Sequence, residues 1–519
     1  MNMKSDTNRI YGTIRKLFFI GIILGIGAAN LFSSVMVFPF RVDANGEKSH
    51  QWLGRAVSVH ITIGLELNGI PVVPEHRSVA LLESRGVNFP YSVSRASLIR
   101  LAKEYKATKV VCGEIHWDAH DLNKLQISAS VVDLETLVQV HIPVIQGRLK
   151  DFFQMREDLM VSTLKAMSPT LTDSGSKAAL LLLPKLNLKQ RSYEIFIKGL
   201  LIKDPVKRIE MLTQPINVFE DSELLNFELA KAYYEVGDIT KSGTYLKKIP
   251  RTPPNPLLED KILFLDALSK AKQGNTDEAL DIYLKMQDRN EFYREIQHNI
   301  GVIYANRNDF GRAVHYFKNA LGEYNYPRTW YYYIASLFLM DDLPLTTQEL
   351  TRALRMYPEN ENFVSLLSYV ITRHENRDAL FTLFDYYISD FYVPKKDERP
   401  SVTFKAVNPF IDFLYAPYPV SSEMDGMVQK PGNGESTSTD DDIEKIQEYL
   451  SVNPFKPEYY RLLSELYLKD KDFYKAEIHA LGAVFLEQSD LNYKNLIAIY
   501  EGIGKKNLAD ELKFKLNKK

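Results

Sequence analysis

Three rhythms of apolar residues succeed one another along the chain. An uncharged run covers Leu17–Phe40, with Lys4, Arg9, Arg15 and Lys16 ahead of it. From about Val35 to Met167, short apolar runs alternate with stretches of helical spacing. Beyond that, the helical spacing continues almost alone to the C-terminus.

The core of the first run, LFFIGIILGIGAANLF, has the length of a signal-peptide apolar region. Gly27, Ala28 and Ala29 follow as small residues near which a signal peptidase cuts. Leu17–Ser34 is also just long enough to span a bilayer, so an uncleaved anchor is the alternative. Residues 1–34 are therefore expected to be a signal peptide or a membrane anchor, with membrane attachment possible through 17–34. In both cases the basic flank stays in the cytoplasm and the rest is exported, to the periplasm or cell envelope. No cysteine closes the run, which excludes a bacterial lipoprotein anchor.

Residues 35–167 predict a small α/β domain. Val35–Phe40 (VMVFPF) is a buried strand, and Trp52, Leu53, Ala56, Val57, His60, Ile61 and Leu65 recur as one helix. Ile70–Val73 is a second short strand, ended by Pro74. Ser94 caps a helix carrying Leu98, Leu101 and Ala102. Lys109–Ile115 (KVVCGEI) is a strand, with Gly113 where a backbone passes close. Leu125–Val132 alternates apolar and polar, and Asp133 and Thr136 turn the chain into Leu137–Ile145. A helix from Leu149 to Met167 completes the order β-α-β-α-β-β-β-α. With VMVFPF, the WLG of Trp52–Gly54, VVCGEI and the SASVVDLET hairpin, this stretch resembles the TolB N-terminal-domain-like family. The resemblance implies a cell-envelope or regulatory module without catalytic residues, often joined to a helical repeat array.

The rest predicts such an array. Gly301 follows Ile300 and precedes Tyr304, and Ala313, Phe317 and Ala320 share one helix face. The frame returns at Leu229, Ala230, Tyr233 and Leu246; at Ala267, Ala279 and Tyr283; at Ile334, Ala335, Phe338, Leu350 and Ala353; and at Leu463, Tyr467, Ala476, Ala480 and Ala483. Ala267, Gly301 and Ala335 stand 34 residues apart, the tetratricopeptide period. These residues resemble the tetratricopeptide family, although Trp is absent from its first consensus position. Weaker helix pairs are expected at 190–222, 361–390 and 490–516, giving about seven or eight in all. The expected fold class is thus α+β: a small α/β domain, then an all-α tetratricopeptide-type superhelical solenoid over 177–390 and 443–519. Residues 391–442 are expected to be a flexible linker that leaves the C-terminal pairs as a separate lobe. Lys430–Asp442 (KPGNGESTSTDDD) is poor in bulky apolar residues and expected to be disordered. Phe404, Phe410, Phe413, Leu414 and Tyr415 form an aromatic segment expected to pack on a neighbouring lobe.

Composition removes several functions. A net charge of −2 is not that of a nucleic-acid binder. The single cysteine, Cys112, allows no intrachain disulfide and no cysteine-built metal site. It lies inside an apolar strand, as a buried small hydrophobe does. No phosphate loop, HExxH or GxSxG occurs, and Gly502–Lys506 lacks the phosphate-loop spacing. His116, Asp118, His120 and Asp121 form a ligand-like cluster at a strand end, where a solvated turn is favoured over a metal site. Asp440–Asp442 and Glu444 read as a solvated helix N-terminus. No catalytic, cofactor or metal residue is assigned, and no enzyme activity is expected.

Binding is the remaining function. In tetratricopeptide proteins the residue three before the small position points into the concave face. That rule selects Phe227, Phe264, His298 and Tyr332. The resemblance implies an aromatic strip suited to a protein or peptide partner, as an extended peptide or a partner helix, with the four rings partly exposed; the alternative is that the rings pack against neighbouring helices. The carboxylate clamp of chaperone-binding members is not evident, so an acidic C-terminal peptide is not implied.

Overall fold

The structure is a computed structural model that describes residues 34–43, 50–68, 70–88, 90–105, 107–117, 124–167, 190–214, 223–250, 258–287, 292–321, 326–410 and 439–518. Apart from Ser34, the expected signal or anchor lies outside these residues. Among them, no helix is long and apolar enough to cross a membrane. The protein is mostly helical with a small mixed sheet near its N-terminus, an α+β architecture. It divides into two compact units, Met1–Ser269 and Lys270–Lys519.

The first unit is built on the sheet. β1 (Val35–Val37) and β2 (Arg41–Asp43) run in turn along one edge of β3 (Lys109–Trp117), both parallel to it. β3 pairs antiparallel with β4 (Lys124–Asp133), and β4 with β5 (Gln139–Arg148). The expected strand at Ile70–Val73 is reduced to a single bridge, Val72 with Val35. Pro71 and Pro74 lack the N–H groups a longer ladder requires. The hairpin between β4 and β5 is closed by Asp133, whose carboxylate accepts from the N–H of Glu135 and Thr136. The Lys109 ammonium beside it, and then the Thr136 N–H, hold this carboxyl well below the usual range.

Helices α1 (Trp52–Leu67) and α4 (Phe152–Met167) share a core with Val111 and Ile115 of β3. Cys112, one residue out of phase, belongs to the opposite face, near Leu82 of α2 (Glu75–Ser84) and Leu98 of α3 (Arg95–Glu104). Ser94 caps α3 by accepting from Ser97 N–H at 3.2 Å, as its position predicts. Gly54 and Gly113 both mark close approaches. A Cβ on Gly54 would stand 2.0 Å from the Phe40 carbonyl oxygen, and one on Gly113 would meet the Phe40 ring and Ser128 O at 2.3 Å.

The core of this unit does not stop at residue 167, where the sequence suggested a boundary. Tyr193, Phe196 and Ile197 of α5 (Gln190–Leu200), Leu212 of α6 (Pro205–Leu212), and Leu225 and Leu229 of α7 (Glu223–Glu235) are buried in the same cluster as α1. Tyr193 Oη donates to Ala56 O at 3.1 Å. Arg55 of α1 binds Glu75 of α2 through Nε at 2.7 Å and Nη2 at 3.1 Å, and donates from Nη1 to Leu200 O. One buried guanidinium therefore fastens three helices. α8 (Ile239–Lys247) and α9 (Glu259–Lys272) follow, and the division between the units falls in the last turn of α9.

The second unit is helical: α10 (Thr276–Met286), α11 (Tyr293–Asn306), α12 (Phe310–Leu321), α13 (Pro327–Leu339), α14 (Leu343–Met356), α15 (Glu361–Thr372), α16 (Arg377–Tyr387), α17 (Thr439–Val452), α18 (Pro457–Lys469), α19 (Phe473–Leu486), α20 (Asp490–Gly502) and α21 (Lys506–Asn517). A turn recurs in both units. The chain leaves one helix through a residue of positive φ, and the next residue sits at the N-cap of the following helix. The pairs are Gly237–Asp238, Gly274–Asn275, Asp341–Asp342, Lys471–Asp472 and Gly504–Lys505. Asn308–Asp309 does the same before α12, with Asp309 accepting from Arg312 N–H. Lys471, at φ 63°, carries a side chain where the left-handed region disfavours one. Lys471→Gly should raise stability by about 0.5–1 kcal/mol, visible as a higher urea midpoint.

The C-terminal helices do not form a separate lobe. Phe384 of α16 meets Phe455, Tyr460 of α18 and Phe485 of α19 at ring-centroid distances of 5.9–6.0 Å. Tyr387 Oη lies 3.2 Å from His479 Nε2, and a Cβ on Gly482 would collide with Leu383. Large apolar rings on both sides of the expected linker bury one another, which fuses the two parts. Asp440–Asp442 open α17 as first-turn acids.

Candidate peptide-binding groove

The structure places all four predicted groove rings inside the protein. Phe227 is buried on α7 with the Lys231 ammonium 5.8 Å from its ring centre, and Phe264 is fully buried on α9. His298 on α11 and Tyr332 on α13 are 0% and 5% exposed, with ring centroids 5.5 Å apart. The expectation of partly exposed rings is therefore corrected. Phe227 and Phe264 belong to the first unit. His298 and Tyr332 share one site in the second, and there the cover is a segment of the chain itself.

That cover is residues 399–410, which continue from α16 after a turn around Glu398. Tyr392 Oη and Lys395 N–H donate to the Glu398 carboxylate there. From 399 to 408 the chain has no regular secondary structure. It crosses the second unit as an extended strap. Phe404 and Val407 point inward, buried, while Thr403 before them and Lys405 and Ala406 between them are exposed. The sequence marked Phe404 and Phe410 as docking residues; Phe413, Leu414 and Tyr415 lie outside the described residues.

Side chains of the helices hold the strap by its backbone. Tyr332 Oη donates to Thr403 O at 3.0 Å and accepts from Lys405 N–H at 3.1 Å. Asn299 Nδ2 donates to Val407 O at 3.0 Å, and Asn299 Oδ1 accepts from Val407 N–H at 2.7 Å. Asn306 Nδ2 reaches Phe404 O at 3.4 Å. His298 Nε2 lies 3.1 Å from Lys405 O and Nδ1 2.9 Å from Thr329 Oγ1. A carbonyl only accepts, so Nε2 carries the proton and Nδ1 accepts from the Thr329 hydroxyl. Tyr283 Oη accepts from Asn299 Nδ2 and steadies that amide.

Two pockets take the inward side chains. Phe404 stacks on Phe317 of α12 at 6.2 Å and 14°, and meets Tyr332 at 5.1 Å. Phe317 itself fills the space over Gly301, where a Cβ would stand 2.7 Å from the ring. The small residue of the repeat frame thus admits the ring that floors the pocket. Val407 is fully buried beside Asn299. Farther along, Phe410 meets Phe292 edge-on at 5.7 Å.

Burial keeps His298 neutral, its titration pushed down to about 4 against the opposing pull of its bond to Lys405 O; the nearby Arg328 cation lowers it further. His479, buried between Tyr387 and Tyr467, is likewise pushed down to about 4. An unfolded histidine takes up its proton near pH 6.5. Stability of the second unit is therefore intact above that pH and falls as pH drops from about 6.5 toward 4. Between pH 7 and pH 4.5 each histidine should cost about 2 kcal/mol, measurable as a falling urea midpoint.

Other clusters offer less. The cleft between α2, α3 and β3 around Cys112, Arg95 and Tyr91 is small, with about 30 Å³ of room. Burial raises the Cys112 thiol, so little thiolate is available for attack. His116 lies against Glu114 and Asp43, while Asp118, His120 and Asp121 are outside the described residues. Among the described residues no group of three or more metal-ligating side chains converges. The Arg156 guanidinium is buried between the Phe153 and Tyr193 rings at 4.3 and 4.6 Å.

Sequence reasoning found His298 and Tyr332 but not Asn299 or Asn306. Both amides occupy α11, Asn299 beside His298 and Asn306 at the helix end. An Asn in a helix interior, as at 299, is a signal that could have exposed the first, because it weakens the helix unless its amide has a task. No protein-family model matches the chain, and no curated protein matches it.

Proposed function

We propose that the protein is a non-catalytic protein-binding scaffold of the cell envelope, exported by its N-terminal segment. In this reading the helix pairs are tetratricopeptide-like repeats, the sheet with its helices is a TolB N-terminal-like module, and the groove between α11 and α13 binds an extended protein segment. The observation that carries it is the six hydrogen bonds from His298, Asn299, Asn306 and Tyr332 to the strap's peptide groups. Side chains aimed at main-chain groups bind extended polypeptide whatever most of its sequence is.

The test is photocrosslinking in the native cell, with a photoreactive residue at exposed Arg328, one turn before Tyr332, and a control at Lys515 on α21. Adducts at 328 should fall on one segment of one protein and be absent from the control. Equal, scattered adducts at both sites would sink the reading. N-terminal sequencing tests export: a start between about residues 28 and 35 supports a cleaved signal. Met1 on membrane-bound protein, favoured by the spanning length of Leu17–Ser34, supports the second reading. That reading is a membrane-anchored signalling or assembly component with the α/β module as regulatory input.

A further inference from the structure

We propose that the strap is an intrachain stand-in for the groove's ligand. The ligand is an extended segment of another protein, carrying an aromatic residue and, three positions later, a β-branched aliphatic residue, and it binds by displacing residues 399–410. This rests on the reading of the groove as a protein-binding site.

The pattern comes from what the groove reads. Phe404 and Val407 enter pockets, and Asn408 and Pro409 after them are also buried, so within 403–407 identity matters at Phe404 and Val407. Thr403, Lys405 and Ala406 face outward and only their peptide groups are held, so those positions are free in a ligand. Asn299 gives its amide N–H to Val407 O and takes Val407 N–H on its carbonyl, a two-point grip on the backbone of one residue.

Displacement follows from how the strap is attached. Residues 399–407 make no main-chain to main-chain hydrogen bond among the described residues. Their peptide groups are held by helix side chains alone, while α11 keeps its own backbone ladder. Removing the strap breaks no helix. It uncovers Tyr332, His298 and Asn299, which an incoming peptide re-covers with the same bonds. A permanent element of the fold would be tied by helix or sheet hydrogen bonds and would open only with its neighbours.

The experiment uses the full chain and a fluorescent peptide of its own residues 400–410. Binding is compared for the wild type and for a Phe404→Ala/Val407→Ala variant, whose strap has lost both anchors. The variant should bind the peptide about tenfold or more tightly than the wild type, because no strap competes. A peptide with the same two alanines should bind neither. Should the variant fold poorly, amide exchange on the wild type decides. The Lys405 and Val407 amides should exchange on the order of a hundredfold faster than α11 amides, and faster again with peptide present. Exchange of both amides at the rate of α11 overturns displacement and leaves the crosslinking result standing on its own. Fast exchange with no peptide bound by either protein overturns this proposal and the groove reading together. A concentration-dependent dimer abolished by the double substitution assigns the groove to a second copy and overturns the claim for another protein.

Discussion

Glu75→Ala should destabilise the first unit by about 3–5 kcal/mol, the usual cost of leaving one partner of a buried ion pair unmatched. Arg55 is 7% exposed, and its guanidinium gives two bonds to Glu75 and one to Leu200 O. Without the carboxylate, a cation remains among α1, α2 and α5 with one carbonyl to bond and the Glu228 charge as its remaining counter-charge. Amide exchange of β3 and of α11, followed separately, will locate the loss in the first unit. Replacing both partners together, Arg55→Met with Glu75→Leu, should recover most of it, because no buried charge is left. A single variant within about 0.5 kcal/mol of the wild type, the range of ordinary surface sites, would falsify the account of Arg55 as a three-helix fastener.

Phe317→Ala should cost the second unit about 3–5 kcal/mol, since it empties the space over Gly301 and removes the floor of the Phe404 pocket. The same substitution should speed exchange at Lys405 and Val407 even where α11 stays protected. Phe264→Ala should cost a similar amount in the first unit, because that ring is fully buried. Tyr332→Phe separates the two roles of its residue. It keeps the ring and loses both hydroxyl bonds to the strap, so it should cost only about 1–2 kcal/mol while loosening Thr403–Lys405. Melts that rank Tyr332→Phe with Phe317→Ala would mean the strap is as integral as the helices.

The sequence made the helices legible because their apolar period is long and repeated. The Ser94 cap and the Asp133 turn were legible because each is a local side-chain-to-backbone bond. α2 was not: Glu75–Ser84 follows Pro74 directly, and its apolar residues, Val79, Ala80, Leu81 and Leu82, stand in one short run that shows no helical period. The extent of the first unit was written only indirectly. α1 is buried on nearly every side, from Trp52 to Leu65, which one sheet face cannot achieve. The missing cover comes from residues more than a hundred positions away. The groove was half legible for the same reason. Spacing from a small residue identifies the inner face of a helix, so His298 and Tyr332 were found. Spacing says nothing about which remote, aperiodic segment lies on that face, and 399–410 has no period to detect.

The covalent attachment of the strap sets a concentration scale for anything that competes with it. Phe404 follows the end of α16, Tyr387, by a short connection, so the strap's local concentration at the groove is on the order of millimolar. A free segment of equal intrinsic affinity at about a micromolar would occupy roughly a thousandth of the grooves. A successful partner must therefore be held nearby first, through a second contact or a shared membrane surface, before its segment is exchanged for the strap. Recognition would then be a two-key event: proximity supplied elsewhere, sequence checked in the groove.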